Sequence, residues 1–159
     1  MKFLINNLTR KIMCFMILLA LSPLGFSQSD DNSITEDSFS TSADNPDLEW
    51  LPAPETFPGC SLTVLHGDIG EPRLDFFFKM EPKTVAVKHI HNSAERMILV
   101  AGELEVQYDG EDPVVLKSGH YAYGPAKKPH KAKCLSEEPC VLFVAMNEPF
   151  SVAPITKID

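Results

Sequence analysis

Residues 89–102 read HIHNSAERMILVAG, and this segment carries both a strand pattern and the polar side chains of a candidate site. His89 and His91 are two residues apart, so both rings project from the same face if the segment is a β-strand. Residues 92–94, Asn-Ser-Ala, favour a chain reversal, and Glu95 opens the next apolar run. The segment therefore predicts that two imidazoles and one carboxylate converge.

Such a ligand set suits a particular chemistry. Neutral imidazole and carboxylate bind divalent first-row metals, and a barrel interior can hold them while leaving coordination positions open for water or substrate. A lone His-x-His pair is weak evidence, because paired histidines on a strand are more often ordinary surface or core residues. The spacing of the rest of the sequence has to decide.

Two sequence motifs that follow each other along the chain provide this evidence. The first is His-x-His, three residues, Glu, six residues and Gly102; the second, in GHYAYGPAKKPHKAKC at 119–134, is Gly119, five residues, Pro125 and then His130. Together they resemble the two motifs of the cupin superfamily. The resemblance covers about residues 50–150 and implies an all-β, single-domain cupin fold, a conical jelly-roll β-barrel with a metal ion inside.

The resemblance also implies which residues hold the ion: His89, His91, Glu95 and His130. It implies one divalent transition metal ion per chain, which could be Fe, Mn, Ni, Cu or Zn. In the family this glutamate either binds the ion or swings to hydrogen-bond a substrate, so Glu95 is also the candidate catalytic acid/base. The alternative is that the histidines serve packing alone, but three unpaired imidazoles in an apolar barrel would carry a desolvation cost that coordination relieves.

The sequence departs from the cupin motifs at three places. Lys127 replaces the usual glycine between Pro125 and His130, Pro82 and Lys83 stand where a glycine is usual, and Cys134 stands where asparagine is frequent. None of these positions is a ligand in the family. The departures therefore bear on loop shape and pocket rim, and leave the candidate ligand set complete.

From Leu48 onward the residue pattern is typical of a β-domain. Short β-branched and aromatic runs alternate with Gly, Pro, Asp and Asn turn signals, and no long window has helical period. Short connections favour antiparallel neighbours in one barrel. The predicted strands are 61–68, 73–80, 84–91, 95–108, 113–117, 120–124, 130–134 and 140–146.

The N-terminal part predicts export. Residues 1–27 combine three early basic residues with an apolar run that is short for a bilayer span, as in a cleaved signal peptide. Residues 28–47 are acidic and Ser/Asn-rich, which predicts a disordered acidic linker before the cupin domain at 48–159. The expected location is periplasmic or secreted. The alternative interpretation of residues 1–27 is a membrane anchor. If the signal peptide is cleaved, no stable membrane insertion is expected.

The negative net charge of the chain argues against some classes of binding partner. The formal net charge is −8, and removal of residues 1–27 would make it −11, because three basic and no acidic residues leave. Such a surface repels nucleic acid and anionic membranes. A small-molecule ligand or substrate remains the expected partner, and the family resemblance adds a homodimer.

Three cysteines follow the predicted signal peptide: Cys60, Cys134 and Cys140. An oxidising compartment permits one disulfide within a monomer. Cys134 and Cys140 flank the loop LSEEP, which could join two antiparallel strands, although the other two pairings and three buried thiols stay open.

Other candidate side chains have ordinary explanations. His66 lies at a strand end and His120 follows a turn glycine, so both are expected to be surface or capping residues. Met97 shares a strand face with Glu95 and is the expected wall residue of any pocket beside the metal.

Two functions fit these features. The first is a metal-dependent enzyme of the dioxygenase or oxidase type that acts on a small organic molecule. The second is a non-catalytic metal- or small-ligand-binding or sensing module of the cell envelope. Fold analogy does not choose between them.

Overall fold

The structure, a computed structural model, describes residues 37–155. Within them it forms eleven strands and no helix, so the expected all-β class is confirmed. The strands are β1 (Leu51–Pro52), β2 (Cys60–His66), β3 (Leu74–Met80), β4 (Val85–Ile90), β5 (Glu95–Ala101), β6 (Glu103–Tyr108), β7 (Val114–Lys117), β8 (Tyr121–Gly124), β9 (His130–Cys134), β10 (Cys140–Met146) and β11 (Ala153–Pro154). Within residues 37–155 there is no helix long and apolar enough to cross a membrane.

The strands form two antiparallel sheets of a jelly-roll barrel. The six-stranded sheet has the order β1-β2-β3-β10-β5-β8, and the five-stranded sheet has the order β11-β4-β9-β6-β7. Several strands that follow one another in the chain, such as β4 and β5 or β9 and β10, lie in different sheets. Residues close in sequence therefore face each other across the barrel interior.

Period-two alternation explains why these segments are strands. In β6 the side chains of Leu104, Val106 and Tyr108 are buried, whereas those between them are partly exposed. The same alternation in β5 buries Glu95, Met97 and Leu99. The inward faces of both sheets share one apolar core, and the polar side chains of the candidate site lie at one end of it.

Gly102 divides the run 95–108, which the sequence predicted as one strand. Its φ is +86°, and a Cβ there would stand 2.9 Å from Ser136 Oγ and 3.0 Å from the Cα of Cys140. Only glycine fits both the backbone conformation and the space. The chain turns at this residue, so β5 joins one sheet and β6 the other. The motif glycine is what moves the chain between sheets.

The structure forms the Cys134–Cys140 disulfide and leaves Cys60 as a buried free thiol. Of the three pairings that the sequence left open, the one across the loop 135–139 is formed, but this loop joins strands of different sheets. Cys134 ends β9 in the five-stranded sheet, and Cys140 begins β10 in the six-stranded sheet. The disulfide therefore links the two sheets.

The two lysines at motif-glycine positions keep a left-handed backbone. Lys83 and Lys127 both have φ of 62°, a region that non-glycine residues seldom occupy. The backbone N–H of Lys127 donates to the carbonyl of His91 at 2.8 Å. The loop shape is therefore retained despite the substitutions.

The predicted signal peptide, residues 1–27, and the predicted linker up to residue 36 lie outside the described residues. The described end of the linker forms turns: the N–H of Asn45 donates to Ser42 O, and the N–H of Leu48 donates to Asn45 O. The domain boundaries and the disorder of the linker stay predictions.

Candidate metal centre

The four candidate ligands come from three strands in both sheets. His89 lies on β4 and pairs in register with His130, the first residue of β9. His91 follows the end of β4, and Glu95 begins β5 in the opposite sheet. All four side chains are buried, with residue exposures between 5% and 7%. The structure thus brings together every residue that the two motifs singled out.

Their donor atoms converge on one point. The Nε2 atoms of His89 and His91 are 3.0 Å apart. Glu95 Oε1 lies 3.2 Å from His91 Nε2, and Glu95 Oε2 lies 3.2 Å from His130 Nε2. The ligand atoms of the three histidines all lie within 4.8 Å of one another, which a single ion can bridge.

Backbone carbonyls fix the outer nitrogen of every imidazole. The Nδ1 of His89 lies 2.6 Å from Val87 O, and the Nδ1 of His130 lies 3.0 Å from Lys128 O. The Nδ1 of His91 lies 2.6 Å from Ser151 O. A carbonyl oxygen only accepts, so each Nδ1 carries the proton. In the neutral ring this arrangement presents the Nε2 lone pair to the centre, as in metal-ligating histidines.

These residues fit a divalent cation. With both rings neutral and protonated at Nδ1, the lone pairs of His89 and His91 face each other at 3.0 Å with no proton between them. Glu95 Oε2 is buried, and apart from its 3.2 Å contact with His130 Nε2 it has no polar partner in the described part of the chain. A cation among the four groups would satisfy the lone pairs and the carboxylate together.

Electrostatics prepares the site for a cation. Burial and the neighbouring His130 lower the pKa of His89 to about 4, so this ring is neutral at pH 7. Burial opposes ionisation of Glu95, but the surrounding imidazoles outweigh it, and the pKa of Glu95 lies below its ordinary value. Burial likewise opposes protonation of His130, but the Glu95 carboxylate raises its pKa. The site therefore holds one anionic oxygen ligand among imidazoles.

A small apolar cavity of about 50 Å³ adjoins the four residues, which is room for a few water molecules. Met97 lines it, as the sequence predicted. The other apolar lining residues come from both sheets and from the segment after β10, and include Phe76, Met80, Leu104, Val106 and Phe150.

The segment after β10 completes the site, and sequence reasoning missed it. Ser151 supplies the carbonyl that orients His91, and its Oγ accepts a hydrogen bond from the N–H of Asn92 at 3.1 Å. The ring of Phe150 packs edge-on against Phe76, with centroids 5.8 Å apart. Ser-Val-Ala-Pro carries no motif, and only the pairing of β11 with β4 brings it to the site.

The remaining histidines are outside the cluster. His66 and His120 are both exposed, as the sequence predicted, and neither belongs to the group whose ligand atoms converge. The lysines near His130 are exposed or partly exposed and do not line the cavity beside the four residues, and Lys128 forms an ion pair with Glu111.

Fold and site together define a jelly-roll β-barrel with a buried histidine-carboxylate centre. The family model of the cupin domain matches residues 76–146, which include all four candidate ligands. This match covers 71 of the 159 residues, and over that segment the chain is similar to the cupin domain family. A comparison with curated proteins gave no match.

Solved structures share the fold at low sequence identity. A cupin-2 domain protein from Rhodospirillum rubrum, Rru_A2000, is 16% identical, with a TM-score of 0.63 over 78% of this chain and 86% of that one. The polyketide cyclase RemF from Streptomyces resistomycificus is 13% identical, with a TM-score of 0.62 over 76% and 89%. A recombinant oxalate oxidase in complex with glycolate is 20% identical, with a TM-score of 0.54 over 65% and 59%. At these identities the likeness shows the fold alone.

Proposed function

We propose that this chain is an exported cupin that holds one divalent transition metal ion through His89, His91, Glu95 and His130 and acts on a small organic molecule. One observation carries the proposal: three backbone carbonyls hold the Nδ1 protons of the three imidazoles, so that their Nε2 atoms converge beside a buried carboxylate. A side-chain cluster used only for packing has no need of this arrangement.

The reaction class we favour is that of a metal-dependent oxidoreductase, a dioxygenase or oxidase. A bound transition ion would supply Lewis acidity and electron transfer at positions that the protein leaves open. The chain's own residues would do the rest: Glu95 can accept or return a proton at the carboxylate, and the apolar walls exclude bulk water. The oxalate oxidase among the structural neighbours shows that this fold can carry oxidase chemistry.

The cavity limits the ligand. With about 50 Å³ of room, the site as described accommodates a small molecule or a small part of a larger one. The same cavity suits the alternative, a non-catalytic metal- or ligand-binding module, because nothing in its walls requires turnover. Activity measurements separate the two.

Metal analysis tests the central claim. The full chain, purified without added metal, is analysed for Fe, Mn, Ni, Cu and Zn beside the variants His89→Ala and His120→Ala. We expect about one ion per chain in the wild type and in His120→Ala, and loss of it in His89→Ala, because His120 is exposed and outside the cluster. A wild type without metal, or equal loss in both variants, would contradict the proposal.

Oxygen consumption then distinguishes the enzyme from the binding module. The metal-loaded protein is tested with a panel of small carboxylates and aromatic compounds in an oxygen electrode, with His89→Ala as the blank. Substrate-dependent uptake that His89→Ala lacks supports an oxidoreductase. Ligand binding by calorimetry with no uptake or other conversion supports the binding module.

Export is part of the proposal and rests on two features. Residues 1–27 have the composition of a signal peptide, and the Cys134–Cys140 disulfide is typical of an oxidising compartment. Mass spectrometry of the protein secreted or released from the periplasm should find an N-terminus near Gln28. A chain that stays in the cytoplasm with residues 1–27 attached would overturn this part.

A further inference from the structure

Two buried polar atoms stand out near the metal centre. In the part of the chain that the structure describes, the buried hydroxyl of Tyr108 has no hydrogen-bond partner, and buried Glu95 Oε2 has none apart from its 3.2 Å contact with His130 Nε2. Tyr108 is 9% exposed. Because an unpartnered buried hydroxyl is costly, its presence beside a candidate ligand calls for a physical reason.

Strand pairing brings these two atoms to one place. Tyr108 is in register with His130 between β6 and β9, and the two ring centroids are 5.2 Å apart. Glu95 is in register with Gly124 between β5 and β8. The tyrosine therefore approaches Glu95 from the opposite sheet.

The Tyr108 hydroxyl and Glu95 Oε2 both lie next to Gly124. A Cβ on this residue would stand 2.7 Å from the Tyr108 hydroxyl and 3.2 Å from Glu95 Oε2. The backbone at Gly124 does not have positive φ, so the glycine is needed here for space. It keeps open the region that both oxygens border.

We propose that Tyr108 is a positioning residue for Glu95, whose hydroxyl donates to Oε2 when an ion occupies the centre. The inference rests on the proposed metal site. Each imidazole already has a carbonyl that fixes its outer nitrogen, whereas the polar neighbours of the Glu95 carboxylate are rings of the other candidate ligands, whose Nε2 atoms would face the ion. The Tyr108 hydroxyl is a buried donor without a partner, and it borders the same space at Gly124 as Glu95 Oε2.

The test compares Tyr108→Phe with Tyr121→Phe, a matched control whose side chain is exposed on β8. Affinities for Co²⁺ and Zn²⁺ are measured by competition with a chromophoric chelator. We expect Tyr108→Phe to bind each ion about 10-fold to 100-fold more weakly, as is usual when the partner of a metal ligand is lost. Tyr121→Phe should bind as the wild type does.

Two further measurements separate positioning from a general structural role. Thermal unfolding of the metal-free protein should show Tyr108→Phe at or above the wild-type midpoint, because the variant removes a hydroxyl without a partner. In a Glu95→Ala background, Tyr108→Phe should cause no further loss of affinity, because the hydroxyl acts through the carboxylate.

The outcomes are distinct. Wild-type affinity in Tyr108→Phe, or an equal loss with and without the Glu95 side chain, overturns the inference and leaves the metal site intact. A lowered unfolding midpoint of metal-free Tyr108→Phe also contradicts it, since the hydroxyl would then have a structural partner. A wild type that binds neither ion removes the proposed function itself.

Discussion

Single residues with unusual backbone conformations reveal how this chain varies a common motif. Lys83 and Lys127 stand where the cupin motifs usually have glycine, yet both retain φ of 62°. Lys83 partly offsets the strain by an ion pair with Glu137 at 2.7 Å and a hydrogen bond to Leu135 O at 2.6 Å. For Lys127 no comparable side-chain bond is seen among the described residues, so its strain should be measurable.

The first prediction is that Lys127→Gly stabilises the protein. Glycine removes the steric cost of the left-handed conformation in the folded state, about 1–2 kcal/mol. It also raises the conformational entropy of the unfolded chain, which offsets part of this gain, so the free energy of unfolding should rise by about 0.5–1 kcal/mol. Denaturant unfolding measures the change. Lys131→Gly is the control: it lies inside β9 without positive φ, and it should destabilise. A loss in both variants would show that Lys127 is not strained.

A second prediction concerns Cys60, whose thiol is buried. Burial, assisted by the charge of Glu81, raises its pKa to about 11 from an ordinary 9.0. Since reaction requires the thiolate, alkylation by iodoacetamide at pH 8 should be about 100-fold slower in the folded protein than in denaturant. Mass spectrometry of the Cys60 peptide gives both rates. Equal rates would contradict the burial described here.

The same pKa shift fixes the sign of a pH effect. The folded thiol holds its proton more tightly than the unfolded one, so its contribution to stability is complete below pH 9 and is lost as the pH rises towards 11. Cys60→Ala should make the alkaline side of the stability profile flatter.

At the level of elements, the barrel depends on connections between the two sheets. The Cys134–Cys140 disulfide joins the end of β9 to the start of β10, whereas His130 stands at the other end of β9. The disulfide and the candidate ligand His130 therefore lie at opposite ends of one strand.

The third prediction follows from this separation. Replacing both half-cystines, Cys134→Ala with Cys140→Ala, should lower the free energy of unfolding by about 2 kcal/mol, because the bridge closes a short loop in the unfolded chain. Metal affinity should stay at the wild-type value, since His130 keeps its strand pairing with His89 and its Lys128 carbonyl. Denaturant unfolding and chelator competition measure the two quantities. A parallel loss of affinity would show that the disulfide also shapes the site.

The sequence predicted the positions of the strands better than the way in which distant strands pair. The eight predicted strands correspond to β2 through β10 once Gly102 divides one of them, and both motifs deliver their ligands to one point. Local patterns suffice there because register and turn lie within a few residues. Tyr108, Phe150 and Ser151 were not recognised as parts of the site, because only pairing between distant strands and the return of the chain after β10 bring them near it.

The whole molecule presents one outer surface that bears on assembly. On the six-stranded sheet, β8 is an edge strand, and Tyr121 pairs with Ile98 of β5. Tyr121 is 58% exposed, and Tyr123, Ile98 and Val100 are exposed beside it. An edge strand with exposed apolar neighbours favours association of two copies, which gives a physical basis for the homodimer that the sequence resemblance implies.

The fourth prediction is that this surface forms the dimer. Light scattering after gel filtration should give twice the chain mass for the wild type and one chain mass for the double variant Ile98→Lys, Tyr121→Lys. In a symmetric dimer the two new lysines of one copy would lie opposite those of the other, and their positive charges would repel each other. Val114→Lys is the control, since Val114 is equally exposed but lies on β7, the edge of the other sheet. A monomeric wild type would contradict the homodimer. A dimer that survives the double substitution but not Val114→Lys would place the contact on the five-stranded sheet. Metal content should be the same in every variant, because the four candidate ligands are buried whereas the substituted side chains are exposed.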